Sequence, residues 1–443
     1  MKKRQIAAAL LAGAMLVSVT ACGTGGDNSA SGGDSSGGIS ITIPSYKTGE
    51  NVGAVFFEPQ VERFNEKYEG TYHIELENVA EDAFNDQIKQ LAQQDALPAL
   101  VQGGDKEWLK TVAFPNGMAY DLSGWLDETP EVKDLLLADG IDYCTSEDGA
   151  IYSMPLATVR PTGFFYNTAL WDTQEDLSAM TMDDFTTALG DQKIAFSTAE
   201  NAWVTALFWT ALIANEEGVA EILNSGIDEK ITDFNQPVIL DSVTKLQSLL
   251  QNNASSNSVG AAYPDAANTF MSSGAAVIAN GPWMSTDFEE TNSSNWSNDF
   301  DGANVRASLF PGQVGIAQTR TYGEWWISSS ASEEEVELAL AFLEFINSPE
   351  ELEAYLLAEG GDAPNLEYTE DFVAQQGETQ VLADLAADTT EETVYVPCIL
   401  DVIPSSVANS DLSRLLPSLA DGTYTPEQFC EQLSTVAAEA TAQ

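Results

Sequence analysis

Residues 149–171, GAIYSMPLATVRPTGFFYNTALW, constrain the architecture more than any other stretch. Pro155 and Pro161 remove backbone donors and bias the residues before them away from helix. An apolar run, Phe164-Phe165-Tyr166, follows at once. A segment of this kind crosses from one compact body to another more easily than it builds either. The length of 443 residues agrees: it exceeds what one core supports, so two domains are expected.

On the N-terminal side, strands and helices alternate. Ile39 to Ile43 alternates apolar and polar residues, as a strand should. Val61, Phe64 and Tyr68 recur at helical spacing after Pro59. Tyr72 to Leu76 reads as a strand, Phe84, Ile88 and Leu91 as a helix, and Leu97 to Val101 as a third strand. That alternation predicts a mostly parallel sheet covered by helices. Beyond the crossing, Thr181 to Asp184 reads as a capping box. Residues 201–212 form an apolar helix, Ile194 to Ser197 a strand, and Val305 to Pro311 a returning strand.

The N-terminus points to a compartment. Met1-Lys2-Lys3-Arg4 is basic, and Ile6 to Val19 is an apolar run too short to span a bilayer but suited to a signal core. It ends at Val19-Thr20-Ala21-Cys22, which resembles the bacterial lipobox, whose Cys receives a diacylglycerol. Gly23 to Gly38 is a polar tether. There are 17 Lys+Arg against 69 Asp+Glu. Removing Lys2, Lys3 and Arg4 leaves 14 − 69 = −55, a charge that repels nucleic acid and anionic headgroups. Of Cys144, Cys398 and Cys430, at most one pair can bridge within the chain, Cys398–Cys430 if any, and buried free thiols are the alternative.

Several stretches, in order, resemble the extracellular solute-binding proteins of ATP-driven importers, in particular the carbohydrate-handling group. Gly149, Ile151, Tyr152, Pro155 and Tyr166-Asn167 match its first crossing. Phe270, Gly274, Ala275-Ala276, Ile278, Gly281 and Trp283 match a second stretch, and Ser348-Pro349-Glu350 a helix junction. The resemblance implies an α/β, two-lobed periplasmic-binding-protein-like fold with a hinge and a cleft. The expected division is 1–21 signal peptide, 22–38 lipidated Cys22 and linker, 39–157 plus 311–361 lobe 1, and 158–310 plus 362–443 lobe 2. Hinges are expected near Ala157–Gly163, Leu309–Gly312 and Gly360–Pro364.

Chemistry of other kinds is sparse. His73 is alone and cannot form a His-rich zinc site, and no Walker loop, dinucleotide fingerprint or His-Glu-x-x-His occurs. Gly33 to Gly37 matches a serine-hydrolase elbow by letters only, without the strand and helix it needs. No catalytic residue, metal or cofactor is expected. Chance acid pairs keep a secreted carbohydrate-active enzyme as an alternative, beside a same-fold receptor for a non-sugar ligand.

The nine tryptophans are more informative. An indole covers the apolar face of a sugar ring while Asp, Glu, Asn and Arg satisfy its hydroxyl rim. Ligands of α/β bodies sit beyond the carboxyl ends of strands. The resemblance and these positions together nominate Trp283, Trp326, Trp325, Trp108, Asp105, Glu324, Arg160, Tyr46 and Lys47. The expected function is capture of a carbohydrate, an oligosaccharide, by a monomer held at the membrane through its N-terminal lipid. Delivery to the transmembrane permease subunits of an ABC importer follows, with no role for nucleic acid.

Overall fold

A computed structural model describes residues 38–49, 53–215 and 220–441. The signal core, Cys22 and the tether up to Gly37 lie outside the described residues. Two large apolar clusters organise the rest, one built on Ile41, Phe64 and Phe342 and one on Phe165, Trp209 and Leu433. They define a first and a second lobe.

Among the described residues nine strands, β1 (Ile39–Ser45), β2 (Tyr72–Asn78), β3 (Leu100–Gln102), β4 (Gly163–Asn167), β5 (Val277–Asn280), β6 (Val305–Ser308), β7 (Val314–Ile316), β8 (Trp325–Ile327) and β9 (Val394–Val396), pair into four small sheets, two in each lobe. In the first lobe β1 runs parallel to β2 with Ile41 opposite Ile74. β3 lies beside β1 and pairs antiparallel with β8. In the second lobe β4 is central, antiparallel to both β5 and β6, while β7 runs parallel to β9. The mostly parallel sheets expected from the alternation are therefore mixed. The reason is local: β4 and β8 are each the first strand after a passage between lobes, and each runs against its neighbours.

The helices follow their apolar spacing. The helix Ala54–Lys67 begins a turn earlier than expected and carries Pro59 inside it. It is tied to the helix Pro349–Glu359 by buried Glu351, which accepts from Arg63 Nε and Nη2 at 2.7 Å each and from Gln60 at 3.1 Å. The helix Trp203–Ala214 is buried along almost its whole length, as an apolar run without a polar face requires. Thr181 caps the helix Met182–Leu189 by accepting from Asp184 N at 3.1 Å, as its sequence predicts.

Three passages join the lobes. The first, residues 155–162, ends where Thr162 bridges Ile316. The expected second boundary at 311 is corrected. Phe310, Val314 and Ile316 are buried in the second lobe's cluster, and the chain returns to the first lobe only through residues 317–323. There a Cβ on Gly323 would collide with the Met154 carbonyl oxygen, so the two passages touch backbone to backbone. In the third, Val159 and Asp362 exchange both backbone hydrogen bonds at 2.8 Å. The boundary at 362 also moves: Ala363 and Phe372 pack with Leu356, and the chain rejoins the second cluster at the helix Gln380–Asp388 through Val381 and Leu385.

Cys144, Cys398 and Cys430 are buried and free. Of the two alternatives left open by the sequence, a Cys398–Cys430 bridge and buried free thiols, the structure has the free thiols. Burial pushes each thiol up to about 12. Among the described residues, no helix is long and apolar enough to cross a membrane.

Candidate ligand-binding site

A cleft of about 700 Å³ lies between the lobes, floored by the passages at Val159 and Arg160 and at Ala317 and Gln318. It is built from strand ends. Tyr46 and Lys47 follow β1 directly. Gly103 and Gly104 follow β3 with φ of 60° and 127°, a backbone that only glycine adopts without strain. Glu324 immediately precedes β8. From the second lobe, Trp283 stands in the turn Pro282–Phe288 after β5.

Two ion pairs line the walls. Lys47 Nζ pairs with Glu324 Oε1, and Glu324 also accepts from Gln102 Nε2 at 3.1 Å. Burial alone would raise the Glu324 carboxyl, but the Lys47 ammonium, with help from Arg160, holds it below the ordinary carboxylate range. Burial likewise works against the Lys47 charge, and Glu324 outweighs it, leaving that amine above its ordinary value. Across the cleft Arg160 Nη1 donates to Glu359 Oε2 at 3.0 Å. The Arg160 guanidinium lies 5.4 Å from the centroid of the Trp283 ring and 5.6 Å from that of Tyr355, within cation–π range of both.

Trp283 is half-buried and turns back over Gly281, where any Cβ would collide with the indole. One face of a large aromatic group and several carboxylate and amine groups thus border one open cleft. Such a set can stack on an apolar ring face and hydrogen-bond to hydroxyls around its rim.

Of the nine nominated residues, Tyr46, Lys47, Arg160, Trp283 and Glu324 line this cleft. The other four do not. Trp325 and Trp326 are 6% and 0% exposed. Successive strand residues face opposite sides of a sheet, so Trp325 packs under Phe342 and Phe57. Trp326 packs on the other face beside Phe114 and donates its indole N–H to Gly103 O at 2.8 Å. Trp108 packs against that same cluster. Asp105 caps a short turn, accepting from Glu107 N at 3.0 Å and Trp108 N at 3.1 Å, and pairs with Lys89 at 2.6 Å.

Sequence reasoning missed Tyr355, Glu359 and Lys106, which also line the cleft. Tyr355 and Glu359 stand four apart on one face of the helix that ends at Gly360-Gly361. That spacing, next to a passage rich in glycine, was the available signal. Among the described residues no group of three or more His, Cys, Asp or Glu could hold a metal ion. His73 is exposed on β2.

Comparison with known proteins agrees with this geometry. A family model described as "bacterial extracellular solute-binding protein" matches residues 60–375. No curated protein matches the sequence. The fold is similar to that of a solved chitin oligosaccharide binding protein, at TM-score 0.66 and 19% identity, covering 92% of this chain and 100% of that one. It is also similar to a Streptococcus pneumoniae solute-binding protein in complex with the blood group A-trisaccharide, at TM-score 0.66 and 18% identity over 90% and 99% of the two chains. A probable secreted solute-binding lipoprotein from Streptomyces coelicolor superimposes at TM-score 0.68 and 15% identity over 90% and 98%.

Proposed function

The chain belongs to the bacterial extracellular solute-binding proteins, and from that premise we propose that it captures a carbohydrate between its lobes and delivers it to the permease of an ABC importer. The observation that carries this reading is the interlobe cleft of about 700 Å³ with Trp283 on one wall and Glu324, Glu359, Arg160 and Lys47 around it. The volume suits an oligosaccharide better than a single ring. The sugars named for two of the similar structures, a chitin oligosaccharide and the blood group A-trisaccharide, support the same class. The roles of Tyr46, Lys47, Arg160, Trp283 and Glu324 in holding that ligand are part of the proposal.

Capture is a population shift. Ligand contacts made by both lobes favour the closed arrangement, and the motion is a hinge at the three passages, 155–162, 317–323 and the stretch from 359 to the helix Gln380–Asp388. The protein binds its ligand and releases it unchanged, without catalysis. It acts as a monomer on the outer face of the cell membrane, held there by a diacylglyceryl group on Cys22. Replacing Cys22 by Ser is expected to release the protein from the membrane fraction.

A thermal-shift screen against a panel of mono- and oligosaccharides tests the central claim, because a ligand of the folded state raises the melting temperature. A sugar that raises it and is recovered intact after prolonged incubation supports the reading. Hydrolysed or eliminated product would instead make the protein an enzyme, and a panel without any shift would remove sugars as the ligand class.

A further inference from the structure

Fourteen basic residues remain after Lys2, Lys3 and Arg4 are set aside from the 17. Five of these 14, Lys47, Lys106, Lys110, Arg160 and Lys230, line the cleft or a side cavity of about 200 Å³ that adjoins it. The two spaces share Lys106, Gln318 and Thr321. The same two spaces are lined by five carboxylates, Glu324, Glu359, Asp105, Glu107 and Asp401, so what distinguishes the cations is how each is partnered.

Their partners divide them into two groups. Lys47 is matched by Glu324 and Arg160 by Glu359. Lys106, Lys110 and Lys230 form no ion pair among the described residues. The nearby carboxylates leave this so: Asp105 is engaged by Lys89, and Glu107 and Asp401 act only at longer range. Lys230 donates instead to the backbone oxygen of Asp401 at 2.6 Å. Desolvation draws the Lys106 and Lys230 amines below their ordinary values, against the opposing pull of Asp401 on both and of Glu107 on Lys230, with a smaller push from Lys110 and Lys106 on Lys230. Lys106 and Lys110 belong to the first lobe, about one helical turn apart, and Lys230 to the second. Three lysines thus face a small cavity from both lobes, beside Asp105, Glu107 and Asp401 in its lining, and none of the three forms an ion pair with those carboxylates.

We infer that the carbohydrate this protein binds carries a negative group, a carboxylate or a sulfate ester, which enters the side cavity between Lys106, Lys110 and Lys230 while a sugar ring lies in the cleft beside Trp283. This rests on the carbohydrate reading above and narrows it. An anion there gains charge-assisted hydrogen bonds from amines that hold no ion pair of their own. Because the lysines come from both lobes, it also favours closure.

Matched sugar pairs test the inference: digalacturonate and trigalacturonate against the corresponding galactose oligomers, and an O-sulfated disaccharide against its unsulfated parent. Inorganic sulfate serves as a third probe. By calorimetric titration at low salt, the acidic member of at least one pair is expected to bind at least about tenfold tighter than its neutral partner, the scale of one charge-assisted hydrogen bond. That ratio should shrink as salt is added. It should also fall in Lys110→Gln, whose exposed side chain forms no hydrogen bond or ion pair among the described residues, and in the double variant Lys106→Gln/Lys230→Gln. The pair that responds tells a uronate from a sulfate ester. Neutral sugars binding as tightly as acidic ones, or an acidic preference that survives both variants, would overturn the inference while leaving the carbohydrate reading intact. Binding of inorganic sulfate without any sugar, or of no probe at all, would overturn both.

Discussion

At the scale of single residues, the tryptophans separate by what they touch. Trp283 stands half-buried on the cleft wall, so Trp283→Ala is expected to weaken ligand binding by about 1–3 kcal/mol while sparing the melting temperature of the free protein. Trp326 is fully buried, and Trp326→Ala is expected to cost about 3–5 kcal/mol of stability. Titration and melting of the two variants side by side check this, and a large loss of unliganded stability in the Trp283 variant would make that residue structural. Glu324 and Lys47 give a pH signature. Glu324 is held below its ordinary 4.5, so its contribution is present above that value and lost as pH falls through the lower folded one. Lys47 is held above its ordinary 10.5, so its contribution persists up to that pH and is lost as pH rises through the higher folded one. The melting-temperature gap between wild type and Glu324→Gln should therefore be wide near neutrality and close on the acid side, as melts between about pH 3 and about pH 8 would record. A gap independent of pH would deny the pair this role. Lys47, Arg160, Trp283 and Glu324 were legible because each lies at a strand end or in a crossing. The Trp325-Trp326 pair was misjudged because the pattern shows alternation across a sheet without showing that both faces are covered.

At the scale of elements, the first lobe's strands and helices were readable from periodicity, since Ile41, Ile43, Phe64 and Ile74 each announce a buried face. Strand direction was not, because it depends on which lobe the chain has just left. The second passage was misplaced for a related reason. Gly312 sits at a turn with φ of 77° and resembles a boundary, yet β7 beyond it still pairs with β9. The passages make a sharper prediction. Gly323→Ala would drive a methyl group into the Met154 carbonyl, and overpacking of this kind costs about 1–3 kcal/mol. Chemical denaturation should show a lower midpoint with an unchanged slope. An unchanged midpoint would mean that the passages yield without cost.

At the scale of the whole molecule, charge dominates. The full chain carries a formal net charge of −52, and five of the 14 cations left after Lys2, Lys3 and Arg4 line the cleft or its side cavity. The remaining surface is therefore self-repelling. Raising the ionic strength from about 0.01 M to about 0.15 M shortens the screening length from about 30 Å to about 8 Å. The melting temperature of the unliganded protein should rise over that range, in scanning calorimetry with the pH held constant. A flat or falling value would show that repulsion between distant carboxylates contributes little to this fold. The two-lobed organisation itself was legible from length and from the crossing at Pro155 and Pro161. The clustering of lysines was not, because Lys106 and Lys230 are brought together only by the folding of separate lobes.

The guanidinium over Trp283 has an optical consequence. Indole emission responds to the electric field at the ring, and Arg160 places a positive charge 5.4 Å from the ring centroid. The other eight tryptophans lie away from the cleft lining, so they supply a constant background. A molecule that enters and moves Arg160 or covers the ring changes the colour or intensity of one emitter out of nine. The protein is then an unlabelled fluorescent gauge of its own occupancy, with a signal that Trp283→Phe would abolish. Dimming or brightening that persists in that variant would assign the signal to an indole elsewhere.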